Sequence, residues 1–242
     1  MATKLTPRLM TAVPYVRRGR LLADIGTDHA YLPIYLCEAG ILTPVVTPAG
    51  EALCALAADI NKGPVERADQ HVAAAGLAGR IRTVQTDGLT GLEAYAPDDV
   101  VIFGMGGELI AAILEAAPWM KAEGKRLILQ PMTHAEKLRA YLLSDGYAIV
   151  GETLSREGDR IYQTLCAEPA AAGAVPPAYT PAELAVGKAA MRPAAQRSDY
   201  AALIDKTLRT ETAARDARRR AGQRTPEQDL LIASLSALRQ EL

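Results

Sequence analysis

An α/β fold is predicted by three patterns in this chain: a mainly parallel sheet ending in an antiparallel hairpin, followed by a smaller C-terminal helical domain. From Leu21 to about Glu168, short apolar runs alternate with amphipathic stretches, the rhythm of parallel strands covered by helices on both faces. After Ser144, two β-like runs follow each other across a turn-forming cluster. From Ala182 onward, β character gives way to Ala, Leu, Arg, Glu and Gln, the composition of helices.

The expected parallel strands are residues 21–25, 53–58, 81–85, 100–103 and 126–129, each a short apolar run closed by a glycine, an acid or a proline. Helices fill the gaps between them. The expected hairpin pairs residues 147–154 with 160–167 across Arg156, Glu157, Gly158 and Asp159. A parallel sheet finished in this way is the arrangement of Rossmann-like methyltransferases, whereas dinucleotide dehydrogenases usually continue with a parallel strand. Residues 169–181 are rich in Ala, Pro and Gly and carry no apolar period, so they read as a linker between a domain over residues 1–168 and a helical one over residues 182–242. Pro193 and the 222–226 region are the expected helix breaks, and Leu203, Ile204 and Leu208, then Leu230, Leu231, Leu235 and Leu238, recur at helical spacing.

With 242 residues, 49 % of them hydrophobic, the chain can build a continuous core and is not disordered. A net charge of -1 gives no overall bias toward nucleic acid, so any basic surface must come from uneven distribution. Cys37, Cys54 and Cys166 are odd in number and widely spaced, which fits reduced thiols rather than a disulfide framework or a metal site. No apolar run follows the basic residues of positions 1–20, and none approaches the roughly 20 residues that cross a bilayer. A cytoplasmic protein with no metal and no membrane contact is expected. The oligomeric state stays open, with a monomer favoured.

The first strand runs into Asp24-Ile25-Gly26-Thr27-Asp28-His29-Ala30, with a helix expected from about Tyr31. A glycine directly after a buried strand lets a ligand approach the backbone, and the next helix offers free N–H groups. One glycine falls short of the three that cradle a pyrophosphate, which argues against a dinucleotide. S-Adenosylmethionine has no phosphate and needs acceptors instead, because its ribose hydroxyls, its ammonium and its adenine amine are donors. Asp24, Asp59 and Asp87 each close one of the first three strands, and in a doubly wound sheet these ends face one crevice. Each alone could be a cap or turn former. Asp59 lies 35 residues after Asp24, which implies an insertion around residues 43–52. The fourth strand ends in Gly104-Met105-Gly106-Gly107, either a tight turn or a second ligand loop.

Five ordered segments carry a family resemblance: residues 23–33 around Asp24 and Gly26, Asn61-Lys62-Gly63-Pro64, Asp87-Gly88-Leu89, Gly104-Met105-Gly106-Gly107-Glu108-Leu109-Ile110, and Leu127-Ile128-Leu129-Gln130-Pro131. With Arg160-Ile161-Tyr162 after the turn, residues 4–168 resemble the TrmK family of bacterial tRNA methyltransferases, which form 1-methyladenosine at position 22 of tRNA. The resemblance implies a class I methyltransferase fold, S-adenosyl-L-methionine as cofactor and tRNA as partner. It implies cofactor contacts from Asp24, Gly26, Asp59, Asp87, Gly88 and Gly104, and a target-base pocket lined by Asp28, His29, Tyr31, Phe103, Met105, Gly106 and Gly107. The chain departs from the family in Thr27 for serine, Asp59 for the commoner glutamate, Phe103 for a small residue, and in the insertion.

Adenine N1 is already nucleophilic once unpaired, so such an enzyme mainly aligns it with the methyl donor. Asp28 is the favoured residue to stabilise the cationic product or take a proton, with His29 second, while Tyr31 or Phe103 could stack on the extruded base or serve only as core. Between Lys188 and Arg224 stand ten Lys or Arg against four Asp or Glu, Arg197, Arg218, Arg219 and Arg220 among them. Beside an RNA substrate this excess reads as a phosphate-binding surface, and otherwise as a solvated helix face. Other readings are a methyltransferase for another RNA or a small molecule, a non-catalytic RNA-binding protein on a relic Rossmann fold, and, third, an NAD oxidoreductase.

Overall fold

The computed structural model describes residues 3–175 and 177–242. In chain order the elements are α1 (Pro7–Met10), β1 (Leu22–Ile25), α2 (Tyr31–Glu38), β2 (Val45–Val46), β3 (Ala52–Leu53), β4 (Ala55–Asp59), α3 (Lys62–Ala74), β5 (Ile81–Gln85), β6 (Asp99–Met105), α4 (Gly107–Glu115), β7 (Arg126–Pro131), α5 (Ala135–Ser144), β8 (Tyr147–Glu157) and β9 (Arg160–Pro169). Then follow α6 (Pro181–Val186), α7 (Arg197–Arg220) and α8 (Pro226–Gln240). The main sheet runs β5-β4-β1-β6-β7-β9-β8, parallel through β7, with β9 antiparallel to both of its neighbours. The Rossmann-like sheet ending in a hairpin is therefore present, with C-terminal helices beside it.

β1 and the first four residues of β4 are buried, because helices cover both faces. Two apolar clusters lie on opposite sides of the sheet, one around Leu56, Ile102, Ile110 and Leu127, the other around Leu22, Leu36, Val101 and Ile128. The order reverses between β1 and β6, so the crevice beyond the carboxyl ends of β1, β4, β5 and β6 is the place where such a sheet binds ligands.

Several boundaries differ from expectation. The second strand begins at Ala55 rather than Leu53, because Ala52 and Leu53 pair instead with Val45 and Val46. The insertion is thus a two-stranded ribbon. β6 reaches Met105 and β7 reaches Pro131, since the sheet continues past a bulge between Phe103 and Met105. The hairpin strands pair as far as Glu157 and Arg160, leaving a two-residue turn with Gly158 first, at φ +58. Pro169 belongs to β9 and Pro181 to α6, so the connecting segment is one residue shorter at each end than the expected linker.

α6 starts on a capping box between Thr180 and Glu183, with proline at the first turn. Pro193 and the 222–226 region interrupt the helices as expected. The C-terminal helices are not a tethered appendage: Leu154 and Ile161 of the hairpin share a core with Ala182, Val186, Tyr200, Ile204 and Leu235. No helix among the described residues is long and apolar enough to cross a membrane.

Candidate active site

The first loop hangs from the neighbouring strand, because the N–H groups of Gly26 and Thr27 both donate to the Ala58 carbonyl, at 2.8 and 3.0 Å. Gly26 holds a φ of +75, and a Cβ there would overlap the Met105 side chain. This contact seats the first loop against the glycine loop after β6. The Thr27 hydroxyl accepts from Ala30 N at 3.1 Å and closes the turn into α2. Asp24 is 8 % exposed, and burial pushes its carboxyl up to about 7, offset in part by a hydrogen bond with Thr27.

The parallel register places Asp24 opposite Ala57 and Asp59 opposite Gln85, so Asp24, Asp59 and Asp87 close three adjacent strands at one edge of the sheet. Asp59 is half-buried; its Oδ1 accepts from Asn61 N at 2.8 Å and Nδ2 at 3.3 Å. Its turn-forming role therefore coexists with its place at the strand end. Asp87 is exposed, and its carboxylate meets no hydrogen-bond partner among the described residues. Gly88 adopts φ +55 and lies against Ile113 of α4. Ile60, beside Asp59, is an apolar side chain left 55 % exposed directly after β4, which the sequence reading missed. An isoleucine directly after a strand-end acid was the available signal.

Asp28, His29 and Tyr31 stand together on the outer side of the first loop. Asp28 is exposed and bonds to the Arg67 guanidinium, with Nε at 3.0 Å, and its Oδ2 lies 3.1 Å from His29 Nε2. The Arg67 bond holds its carboxyl below the ordinary range. His29 stacks on Tyr31 with ring centroids 4.9 Å apart, and His71 stacks on Tyr31 at 5.2 Å. Tyr31 is 40 % exposed. Arg67 and His71 also escaped the sequence reading, although four-residue spacing puts them on one face of α3.

The Gly104 to Gly107 loop is held from the turn after β7. Gly107 N donates to the Thr133 carbonyl at 2.8 Å, and Met132 N donates to the Met105 carbonyl at 2.8 Å. Gly104, at φ +82, is exposed where the bulge leaves the sheet. Phe103 corrects an expectation: at 9 % exposure it packs in the core beside Leu22, Val101 and Ile128, not against the crevice. It precedes the bulge and alternates inward, so its ring fills the sheet face rather than a base pocket. Among the described residues, no group of three or more His, Cys, Asp or Glu could hold a metal ion.

A model of the methyltransferase domain matches residues 5–165. Over 165 residues the chain is 39 % identical to the tRNA (adenine(22)-N(1))-methyltransferase of Bacillus subtilis (strain 168), covering 68 % of this chain and 65 % of that protein. The match thus spans less than two thirds of that relative's length. The crystal structure of the B. subtilis m1A22 tRNA methyltransferase TrmK superposes with a TM-score of 0.76 at 30 % identity, covering 98 % of this chain and 97 % of the other. The chain belongs to the TrmK family. A Streptococcus pneumoniae protein described as a tRNA (m1A22) methyltransferase, solved with S-adenosyl-L-methionine, superposes at 0.77 with 27 % identity, covering 98 % of this chain and all of the other.

In this TrmK-family chain the arginines predicted to meet substrate are not one cluster. A cleft of about 1210 Å³ opens between the sheet and the C-terminal helices, lined by Met132, His134, Arg160, Tyr162, Lys206 and Arg218 among others. Arg218 is on its wall. Arg219 is turned to Asp229, at 2.7 Å, and to Thr225. Arg220 is exposed beside them, whereas Arg197 meets the Leu242 carbonyl at the far end of α7. Arg197 and Arg218 are separated by about 30 Å of helix at a rise of roughly 1.5 Å per residue.

Proposed function

We propose that this protein transfers the methyl group of S-adenosyl-L-methionine to N1 of an adenine in tRNA, at position 22, acting as a monomer in the cytoplasm. The observation that carries this reading is the row of strand-end acids, Asp24, Asp59 and Asp87, beside a single-glycine loop. These residues fit a phosphate-free, donor-rich cofactor. Asp87 offers an unclaimed carboxylate, Asp59 keeps one oxygen clear of protein hydrogen bonds among the described residues, and Ile60 offers an apolar face. Asp59 and Asp87 would hold its ribose and amine donors, and Asp24 with Gly26 its amino-acid end. When bound, the cofactor supplies an electrophilic methyl on cationic sulfur.

The chain's own task is alignment, because unpaired adenine N1 needs no strong base. The Gly104 to Gly107 loop offers backbone with little side-chain bulk, so a flat base can approach closely. Asp28 stays ionised beside Arg67, which suits it to stabilising a ring that becomes cationic rather than to accepting a proton. Tyr31 presents a ring on which an extruded base can stack. The cleft beside Arg160, Lys206 and Arg218 receives the RNA backbone. The test is incubation of unmodified tRNA transcript with labelled methyl donor, followed by nucleoside analysis. Label in 1-methyladenosine at one nucleotide is expected; Asp87→Ala should abolish most of it, and an unlabelled transcript would sink the reading.

Asp24 supplies a second check. Its carboxyl is largely protonated below about pH 7, and a cation docked beside it favours the ionised form. Asp24 should therefore give up its proton on cofactor binding, and affinity should rise about tenfold between roughly pH 6 and 7.5, since one pK unit is worth about 1.4 kcal/mol. Calorimetry at pH 6.5 in two buffers of different ionisation heat reads the released proton. Identical heats in both would count against the assignment of Asp24.

A further inference from the structure

We propose that Arg8 grips the backbone phosphate of the target nucleotide and so sets how the substrate strand lies against the glycine loop. The proposal rests on the RNA reading above and adds a residue to it.

The side chain is placed from three directions. α1 is capped by Thr6, whose hydroxyl accepts from Leu9 N, and is pinned to the end of β8 by Arg8 N donating to Glu157 Oε1 at 3.0 Å. The guanidinium donates from Nη1 to Gln130 Oε1 at 3.3 Å, and Gln130 is wholly buried. It lies 5.7 Å over the Tyr162 ring. The same Nη1 is what a Cβ on Gly104 would meet, at 3.2 Å. Arg8 therefore stands directly over the bulge at the end of β6.

Its donors are mostly unspent. A guanidinium carries five N–H groups in a rigid fork, and among the described residues that of Arg8 makes one hydrogen bond and no ion pair. Arg17, Arg126 and Arg139 are also half-buried or buried, and each is matched to a carboxylate, Asp99, Glu168 and Glu152 respectively. A half-buried arginine left without an acid is matched to an anion from elsewhere.

The phosphate of the nucleotide supplies that anion, since the adenine ring is neutral. Methylation at N1 leaves the ring cationic, so a guanidinium against the ring would oppose the charge that develops, whereas the charge on a phosphate is the same before and after transfer. The path is continuous: Tyr162, under Arg8, also lines the cleft with Arg160, so a strand lying there passes Arg8 on its way to Gly104.

The test is fluorescence anisotropy of labelled, unmodified tRNA transcript against salt for the unaltered protein, Arg8→Gln and Arg8→Lys, with S-adenosyl-L-methionine calorimetry and Tm alongside. Arg8→Gln should weaken RNA binding about tenfold and lower the salt slope by about 0.7–0.9, the loss of one phosphate contact. Arg8→Lys should restore the slope but not the full affinity, and cofactor affinity should stay within about twofold in both variants. An unchanged slope in Arg8→Gln overturns the proposal, as does weaker binding accompanied by a fallen Tm and lost cofactor affinity, which would make Arg8 only a pin for α1. If the unaltered protein binds the transcript without methylating it, the proposed reaction fails while the slope still judges Arg8; if it binds no RNA, both fail.

Discussion

Glu152→Ala is expected to destabilise the protein by about 3–5 kcal/mol, the scale measured when one partner is removed from a buried charge group. Glu152 has no solvent exposure and is shared between two arginines. Arg139 of α5 donates Nε to its Oε1 at 2.7 Å, and Arg192, from the segment before α7, donates Nη2 to its Oε2 at 3.0 Å. Lys188 N adds a bond to Oε2 at 3.1 Å. Arg139 also donates to the Leu184 carbonyl and to Gln163, both at 2.8 Å, while Arg192 lies 5.0 Å over the Tyr200 ring. Burial pushes the Arg192 guanidinium below its ordinary pKa, and its Nε and Nη1 have no partner, so Glu152 is what keeps this cation tolerable. Without it, two buried guanidinium groups face each other. Thermal denaturation should show Tm lowered by roughly 6–20 °C for a chain of this size. Because the cluster joins α5 and β8 to the C-terminal helices, limited proteolysis should also cut faster between β9 and α6. A Tm shift below about 2 °C would mean that water reaches the cluster and screens it.

This cluster also marks where the sequence stopped being informative. The four inner parallel strands, β4, β1, β6 and β7, were legible because strands covered on both faces are largely apolar, and the hairpin because turn-forming residues separated two β-like runs. Glu152 and Arg139 lie in segments that read simply as strand and amphipathic helix. Their pairing depends on packing α6 against the hairpin, a long-range contact that local pattern does not encode. Arg8 was invisible for the same reason: its partners Gln130 and Tyr162 are more than a hundred residues away. The strand-end acids were readable because topology alone brings such positions together. Phe103 shows the limit of that logic. Position relative to the glycine loop suggested a pocket wall, but side-chain alternation around the bulge decided its direction, and the bulge could not be read from composition.

The bulge leads to the largest expected effect on catalysis, that of Gly107→Ala. Gly107 opens α4 with an ordinary negative φ, so alanine is conformationally acceptable there, and helix propensity even favours it. The obstacle is steric. A Cβ would overlap the His134 carbonyl oxygen and lie 2.9 Å from its carbon and 3.0 Å from the Thr133 oxygen, all backbone atoms that cannot swing aside. The loop and the turn after β7 must separate, weakening the 2.8 Å bond from Gly107 N to Thr133. Met105, which seats this loop against Gly26, moves with it. On the proposed function, in which this chain mainly aligns the base, displacing the loop backbone by about 1 Å should lower methyl transfer about 100-fold. Asp59 and Asp87 close β4 and β5, away from the disturbance, and only Gly26 is reached, through Met105, so cofactor affinity should fall less than kcat/KM. Gly79→Ala serves as the control, since nothing lies within 4 Å of its Cβ position. Transfer by Gly107→Ala within about threefold of the unaltered protein would show that the loop does not set the alignment, because a 1 Å misplacement should cost far more.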